Sequence, residues 1–411
     1  MGNKVSMPGE RRTTRLSIKS LEYMKEKISL SEDADLWMPA LSKLRQEADN
    51  LIARDCYSVV NKNHIPPSES MHDYFSLSIY KWPDPNTPDG LPYISRDGYI
   101  NPEVAEYDGP RLALMANAVD TLNITYYLTG EEKYAQKAGD FLRTWFLNPE
   151  TKMNPNMLYA QYVPGNGGFI EIPRYPNRYV AGKNGKGVYV SFGGIIEGTR
   201  LACFIDSIEL IRGSTGWSED DHAHLQQWFR EFLQWILESS HGKDEESCYN
   251  NHGSWYCVQA AAYAIFCEDF DTAKEILAKK APGRIDLQFD EEGRLYEELY
   301  RAHSIGYVNY GMASFYNLAQ MAKSLDIDLW NYENKHGKPL KKAIEWIIPF
   351  LYGSKEWTYP LVSDMNCVGF IPLLYMAADG YNEDAYMDAI GRIPGYKADN
   401  IFKLLYAVPV N

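Results

Sequence analysis

Residues 241–259 read His-Gly-Lys-Asp-Glu-Glu-Ser-Cys-Tyr-Asn-Asn-His-Gly-Ser-Trp-Tyr-Cys-Val-Gln, a polar stretch that passes straight into an apolar one. That pattern predicts a helix N-terminus at Asn250, Asn251 and His252. Free backbone N–H groups and the helix dipole favour a bound anion there, and Asn and His side chains add donors of their own. The same residues equally suit simple N-capping by Asn251 with His252 as a bystander. A second cluster lies between Tyr296 and Tyr310, where Arg301, Ser304 and Tyr307 recur every three residues. On a helix these three fall within an arc of roughly 120°. One face then presents a guanidinium and a phenol to one ligand. The competing arrangement pairs Arg301 with Glu297 or Glu298 and leaves Tyr307 at the core boundary.

Helices must position these groups, because helical periodicity dominates the chain. Tyr134, Ala138, Phe141, Leu142 and Trp145 recur at three- and four-residue steps, as do Leu225, Trp228, Phe229, Phe232, Leu233 and Ile236. Ser218 followed by three acids reads as a helix start. Repeated helix pairs without a strong strand run imply an all-α fold of antiparallel hairpins, and the absence of a fixed-period repeat favours an (α/α) toroid over a solenoid. Two long segments, 62–106 and 149–192, break the pattern. Loops of that length are usually functional or disordered, and their aromatic content argues against disorder. They are expected to wall the cleft.

With 41 Lys plus Arg against 55 Asp plus Glu, the net charge is −14, which argues against nucleic acid as a partner. Residues 172–196 hold Arg174, Arg178, Lys183 and Lys186 with no acid, a local basic stretch suited to a polyanion or, as readily, a solvated loop. The 31 Tyr and 10 Trp suit a sugar-binding cleft, where flat amphipathic rings are favoured. Six cysteines form no Cys-x-x-Cys pair, so neither disulfides nor a zinc site is expected, and no cofactor is implied. No run of 18 apolar residues exists to span a membrane. Residues 1–15 are expected to form a processed tail and 16–411 a single domain, with residues before 20 lacking the hydrophobic core of a signal peptide.

Four strings carry a resemblance. Asn-Asn-His-Gly-Ser-Trp-Tyr at 250–256, Arg-x-x-Ser-x-x-Tyr at 301–307, Met-Asn-Pro-Asn-x-x-Tyr-Ala-Gln at 153–161 and His-Asp-Tyr-x-Ser-Leu-x-x-Tyr-x-Trp-Pro-Asp-Pro at 72–85 together resemble the alginate lyase family of (α/α)-toroid polysaccharide lyases. The match runs over roughly residues 70–330. It implies an incomplete barrel, β-elimination of an acidic uronate polymer, and a periplasmic or secreted monomer whose partner is that polysaccharide. It places charge neutralisation on Asn251, His252 and Arg301 and proton transfer on Tyr307. We assign substrate contacts to Gln161, Arg174, Arg178, Tyr80, Trp82, Trp255, Ser304 and His303. Relatives carry a second basic residue where this chain has His303, a departure that bears on substrate preference.

The chemistry suits those side chains. The C5 proton of a uronate becomes acidic when the neighbouring carboxylate's charge is offset, which Asn, His and Arg donors achieve without a metal. The leaving O4 needs a proton. A Tyr with an ordinary pKa near ~10 acts as a base only if neighbouring cations lower it, and Arg301 is the expected neighbour. In mannuronate and glucuronate H5 and O4 share a face, so one Tyr serves as base and acid. Guluronate presents them on opposite faces, which calls for His252 as base and Tyr307 as acid. Alginate is the expected substrate, with glucuronan as the alternative on the same site. A glycoside hydrolase or a noncatalytic glycan-binding toroid is the alternative of another class, the first requiring two carboxylates about the bond.

Overall fold

A computed structural model describes residues 15–165, 178–181, 187–190, 192–397 and 399–406, with backbone alone across 178–192. The helices are α1 (Ile18–Leu30), α2 (Ala34–Ile52), α3 (Asp108–Thr129), α4 (Glu132–Leu142), α5 (Thr199–Ile208), α6 (Glu219–Glu238), α7 (Ser240–Ser247) and α8 (Asn251–Phe266). They continue as α9 (Phe270–Glu275), α10 (Ala281–Gln288), α11 (Tyr296–Leu299), α12 (Ser304–Ser324), α13 (Pro339–Leu351), α14 (Ile371–Tyr381), α15 (Ala385–Ile390) and α16 (Phe402–Leu405).

Their packing follows their faces. In α8 every residue from Gly253 to Phe266 is buried, so it is apolar all round and belongs to the interior. By contrast α6 buries one stripe, Leu225, Trp228, Phe229, Phe232, Leu233 and Ile236, and starts on a capping box in which Ser218 and Asp221 exchange hydrogen bonds. An inner row runs α3, α5, α8, α12, α14, each helix packed on the next. Helix α14 touches α16, α16 touches α1 and α2, and both of these pack on α3, so the row returns on itself. That cycle is what a toroid of hairpins requires. No helix among the described residues is long and apolar enough to cross a membrane.

The two long segments differ from the expected loops. They contribute β1 (Phe75–Leu77), β2 (Lys81–Trp82), β3 (Ile94–Ser95), β4 (Tyr159–Val163), β5 (Arg178–Ala181) and β6 (Gly187–Val190). One sheet has the order β1-β4-β6-β5, with β1 parallel to β4 and the remaining pairs antiparallel; β2 and β3 form a separate antiparallel pair. Strands of two to five residues are too short for a period-two pattern to register in sequence. Phe75, Leu77, Tyr107 and Tyr159 form a small second core under the sheet, which accounts for the aromatic content of these segments.

A buried ion pair anchors the first segment. Lys62 Nζ lies 3.0 Å from Asp108 Oδ2, both side chains fully shielded, and also donates to the Val59 and Met71 carbonyls at 2.6 and 2.7 Å. The same Asp108 oxygen accepts the Phe75 N–H at 2.9 Å, tying β1 to the start of α3. Burial pushes the Lys62 amine down and the Asp108 carboxyl up to about 6, against their mutual attraction. Near the start of the described residues, the Leu16 N–H donates to Asp206 at 2.9 Å and Arg15 pairs with Asp120 at 3.6 Å.

Removing one partner of a shielded pair leaves an uncompensated charge. Lys62→Met should lower stability by about 3–5 kcal/mol, read from the urea midpoint. A loss below about 1 kcal/mol would show that the pair does not anchor the segment.

Candidate active site

Asn250, rather than Asn251, is the N-cap of α8: its side chain accepts the His252 N–H at 3.3 Å. That releases Asn251 for another role. Asn251 is 1% exposed. Its backbone N–H donates to Glu298 Oε1 at 2.8 Å, and its Nδ2 lies 2.8 Å from both Glu298 oxygens. A carboxylate only accepts, so the amide nitrogen must face it. The two oxygens of one carboxylate can share a single N–H, which leaves the second N–H of Nδ2 directed elsewhere. Burial raises the Glu298 carboxyl, and the Asn251 hydrogen bonds, Arg301 and His252 all pull against that rise. Glu298 therefore feels both cationic candidates at once.

His252 sits next along the first turn of α8. Its Nδ1 is 2.8 Å from Glu245 Oε1, a carboxylate on α7 whose side chain is wholly shielded, while the imidazole itself is 21% exposed. The segment Phe192–Gly198 passes against the ring. A Cβ on Gly193 would stand 2.3 Å from His252 Cε1 and 2.6 Å from Nδ1, and one on Gly194 would stand 2.7 Å from the Ala160 Cβ. Two successive glycines thus let the chain run between β4 and α8.

Arg301 and Tyr307 do not share a helix face, because α12 begins at Ser304 and Arg301 precedes it. They meet nonetheless. Arg301 Nη2 donates to the Tyr307 hydroxyl at 2.6 Å, and the guanidinium lies 3.7 Å over the Tyr307 ring. The partner of Arg301 is neither Glu297 nor Glu298 but Asp97, with Nε–Oδ2 at 3.1 Å and Nη2–Oδ1 at 2.6 Å. The Ala302 N–H also reaches Asp97, at 3.1 Å. Burial works against the Asp97 charge, and Arg301 more than offsets it, holding the carboxyl below its usual range. The Tyr307 hydroxyl in turn donates to Tyr80 at 3.0 Å. Burial drives Tyr307 well above the ordinary phenol value, and Tyr80 adds to the rise; Arg301 pulls the other way without overcoming them. The expected acidification by Arg301 is real in sign and smaller than burial. Tyr307 rests as a protonated phenol.

The remaining assigned residues fall in different surroundings. Tyr80 is at the site, as above. Gln161 takes a left-handed backbone, φ 55°, with its N–H on Ser76 Oγ at 2.8 Å. Its side chain hydrogen-bonds Glu197, whose carboxyl is pushed up to about 7 by burial and which accepts the Tyr74 hydroxyl at 2.5 Å. Trp82 donates its indole N–H to the Tyr99 carbonyl at 2.8 Å, with Arg96 5.3 Å over its ring. His303 Nδ1 is 3.0 Å from Ser363 Oγ. Trp255 is 3% exposed, stacked on Tyr310 at 4.8 Å and bonded to its carbonyl at 3.0 Å, so its ring is used in packing. Ser304 is buried too: it donates to the Pro360 carbonyl at 2.6 Å and accepts from the Trp357 indole at 2.9 Å, fixing the head of α12. Arg178 lies in β5, where backbone alone is described, and Arg174 lies outside the described residues.

Sequence reasoning missed Asp97, Glu245 and Glu298 as participants. Glu298 enters the sequence reading only as a partner of Arg301, whereas it holds Asn251, 47 positions away; Glu245 stands seven residues before His252 but on the preceding helix, and Asp97 is 204 residues from its partner in sequence and carries no local signal.

A phenol held on a guanidinium, beside an Asn–His pair at a helix start in a helical ring, is the equipment of a polysaccharide lyase. The chain belongs to the alginate lyase family, whose profile matches residues 58–357. It is similar to the crystal structure of an alginate lyase from Bacteroides ovatus, at 30% identity and a TM-score of 0.87, covering 97% of this chain and 99% of that one. An alginate lyase from Sphingomonas species A1 shares the fold at 15% identity and a TM-score of 0.57, covering 98% of this chain and 100% of that one. No curated protein matches the chain.

The close approach of Gly193 to the imidazole gives a sharp test. Gly193→Ala should keep the fold, at a cost of about 1–3 kcal/mol in stability, while displacing His252 and lowering kcat at least ~10-fold. Wild-type kcat in a folded Gly193→Ala protein would show that the ring's position is not critical.

Proposed function

We propose that the chain cleaves alginate by β-elimination, leaving an unsaturated uronate at the new non-reducing end. The observation that carries this reading is the Tyr307 hydroxyl, held between Arg301 Nη2 and Tyr80 with its proton retained by burial. A phenol so held supports the role of general acid. Arg301 and the second Nδ2 N–H of Asn251 draw charge onto the uronate carboxylate and make C5–H acidic. For guluronate, His252 takes the C5 proton, the C5–H electrons become the C4=C5 double bond, the C4–O4 bond breaks, and Tyr307 gives its proton to O4. The phenolate is reprotonated from water by way of Tyr80. For mannuronate the same phenol must first surrender its proton to act as base, which its burial makes costly.

Glycoside hydrolysis is disfavoured on this geometry. It requires two carboxylates flanking the bond, whereas Glu245, Glu298 and Asp97 are each turned onto His252, Asn251 or Arg301. Alginate is met outside the cytoplasm, and we place the protein in the periplasm or beyond the cell.

An ultraviolet scan on polymannuronate, polyguluronate and glucuronan checks the reaction and the substrate together. We expect the absorbance of unsaturated uronate on alginate blocks; new reducing ends without it would mean hydrolysis, and strong absorbance on glucuronan alone would replace alginate as substrate. Tyr307→Phe should bind substrate normally and lose about 10²- to 10⁴-fold in kcat. His252→Gln should abolish polyguluronate cleavage and keep part of the polymannuronate activity, because an amide donates a hydrogen bond but is no base near neutral pH. Equal fractional losses on the two polymers would end the two-base scheme.

A further inference from the structure

His252 has two ring nitrogens, and the fold fixes the role of one of them. Glu245 lies at the end of α7, its side chain fully shielded, with Oε1 2.8 Å from His252 Nδ1. Its Oε2 has no hydrogen-bond partner among the described residues. The Gly193 backbone runs along that same Nδ1 edge of the ring: a Cβ there would stand 2.3 Å from Cε1, 2.6 Å from Nδ1 and 3.3 Å from Glu245 Oε2. A half-turn of the imidazole would set a ring carbon against the carboxylate and lose that hydrogen bond.

A carboxylate withdrawn from water costs several kcal/mol, and an apolar pair would join α7 to α8 at less expense. Stability therefore gives no reason for Glu245. Its contact with His252 does: a buried carboxylate accepts and does not donate, so it holds the imidazole proton on Nδ1. Nε2, the other ring nitrogen, is then the one without that proton.

We propose that Glu245 is the positioning residue for the reaction above, one that makes His252 a dedicated base. It fixes the Nδ1–H tautomer and then faces the imidazolium formed when Nε2 takes the C5 proton. The proton ends on Nε2, the electron pair goes into the C4=C5 bond, and the new positive charge is met by the Glu245 carboxylate at hydrogen-bond distance. The proposal rests on the lyase reading and extends it to substrate choice: cleavage that needs a second base, the opposite-face elimination of guluronate, depends on Glu245, and same-face elimination depends on it far less.

Two measurements test it. The first uses wild-type enzyme labelled with ¹⁵N-histidine, without substrate, at mildly alkaline pH. Of the 8 histidines, His252 is assigned as the set of long-range ¹H–¹⁵N correlations lost in His252→Gln. An Nδ1–H tautomer is expected, and an Nε2–H tautomer overturns the proposal. The second compares Glu245→Gln with wild type on polyguluronate and polymannuronate. On polyguluronate kcat should fall about 10²-fold with KM within about two-fold, and the fall on polymannuronate should be at least ~5-fold smaller. Unchanged kcat, or equal falls on both polymers, overturns it. Should Glu245→Gln fail to fold, the wild-type tautomer decides alone. If the wild type cleaves no uronate polymer, the lyase reading fails while the tautomer measurement still reports on the Glu245–His252 pair.

Discussion

Each polar group of the proposed site is held by one carboxylate: Asn251 by Glu298, His252 by Glu245, Arg301 by Asp97. This is the constraint around which the rest is arranged. The site proposed for a carboxylate sugar is thus built on three carboxylates, an apparent contradiction in charge. It resolves in geometry, because each acid fixes the orientation of a donor or base whose other edge remains for the substrate. The arrangement trades net attraction for direction. Burial raises the Glu298 carboxyl, and the Asn251 hydrogen bonds pull against that rise.

The three acids come from three places. Glu245 ends α7, Glu298 lies in the short α11, and Asp97 follows the β2–β3 pair. Two helix starts, those of α8 and α12, bring the groups they hold together. The third element is the 62–106 segment, which supplies both Asp97 and Tyr80 and is itself anchored through Lys62 and Asp108 to the start of α3. A shielded ion pair thus anchors the segment that carries Tyr80 to the phenol and Asp97 to the guanidinium. Burial likewise holds the Tyr307 hydroxyl above the ordinary phenol range despite the adjacent guanidinium.

Much of this was legible in the residues. Helix periodicity located the hairpins, and the polar-to-apolar switch at Asn250–His252 marked the helix start to within one residue. The Arg301–Tyr307 spacing pointed to a joint role, although for a reason the structure replaces: Arg301 precedes α12 and reaches back over the ring instead of sharing its face. Trp255 and Ser304 looked like ligands because they sit in the right strings, yet α8 is buried on every side at Trp255 and Ser304 fixes the head of α12, so both are used in packing. The supporting acids were hidden for a different reason. A pattern of types and spacings shows what a residue can do, whereas Asp97 matters through a contact closed by the fold across 204 positions. The small sheets were hidden because their strands are too short to show alternation.

The pairing of Arg301 with Asp97 has a bearing on the medium in which such a protein works. A bare guanidinium in a cleft attracts any small anion, and chloride or sulfate in brine would compete with the sugar for it. Here two of its nitrogens are already engaged by a fixed partner at 2.6 and 3.1 Å. A simple ion arriving from solution gains little by approaching a charge already answered, while a uronate anchored by neighbouring sugar units arrives with its orientation set. Salt then screens the long-range approach of the polymer, over about 10 Å at 0.1 M, and leaves the contacts at the centre largely untouched. On the proposed function, such a site is expected to favour a polymer over an electrolyte.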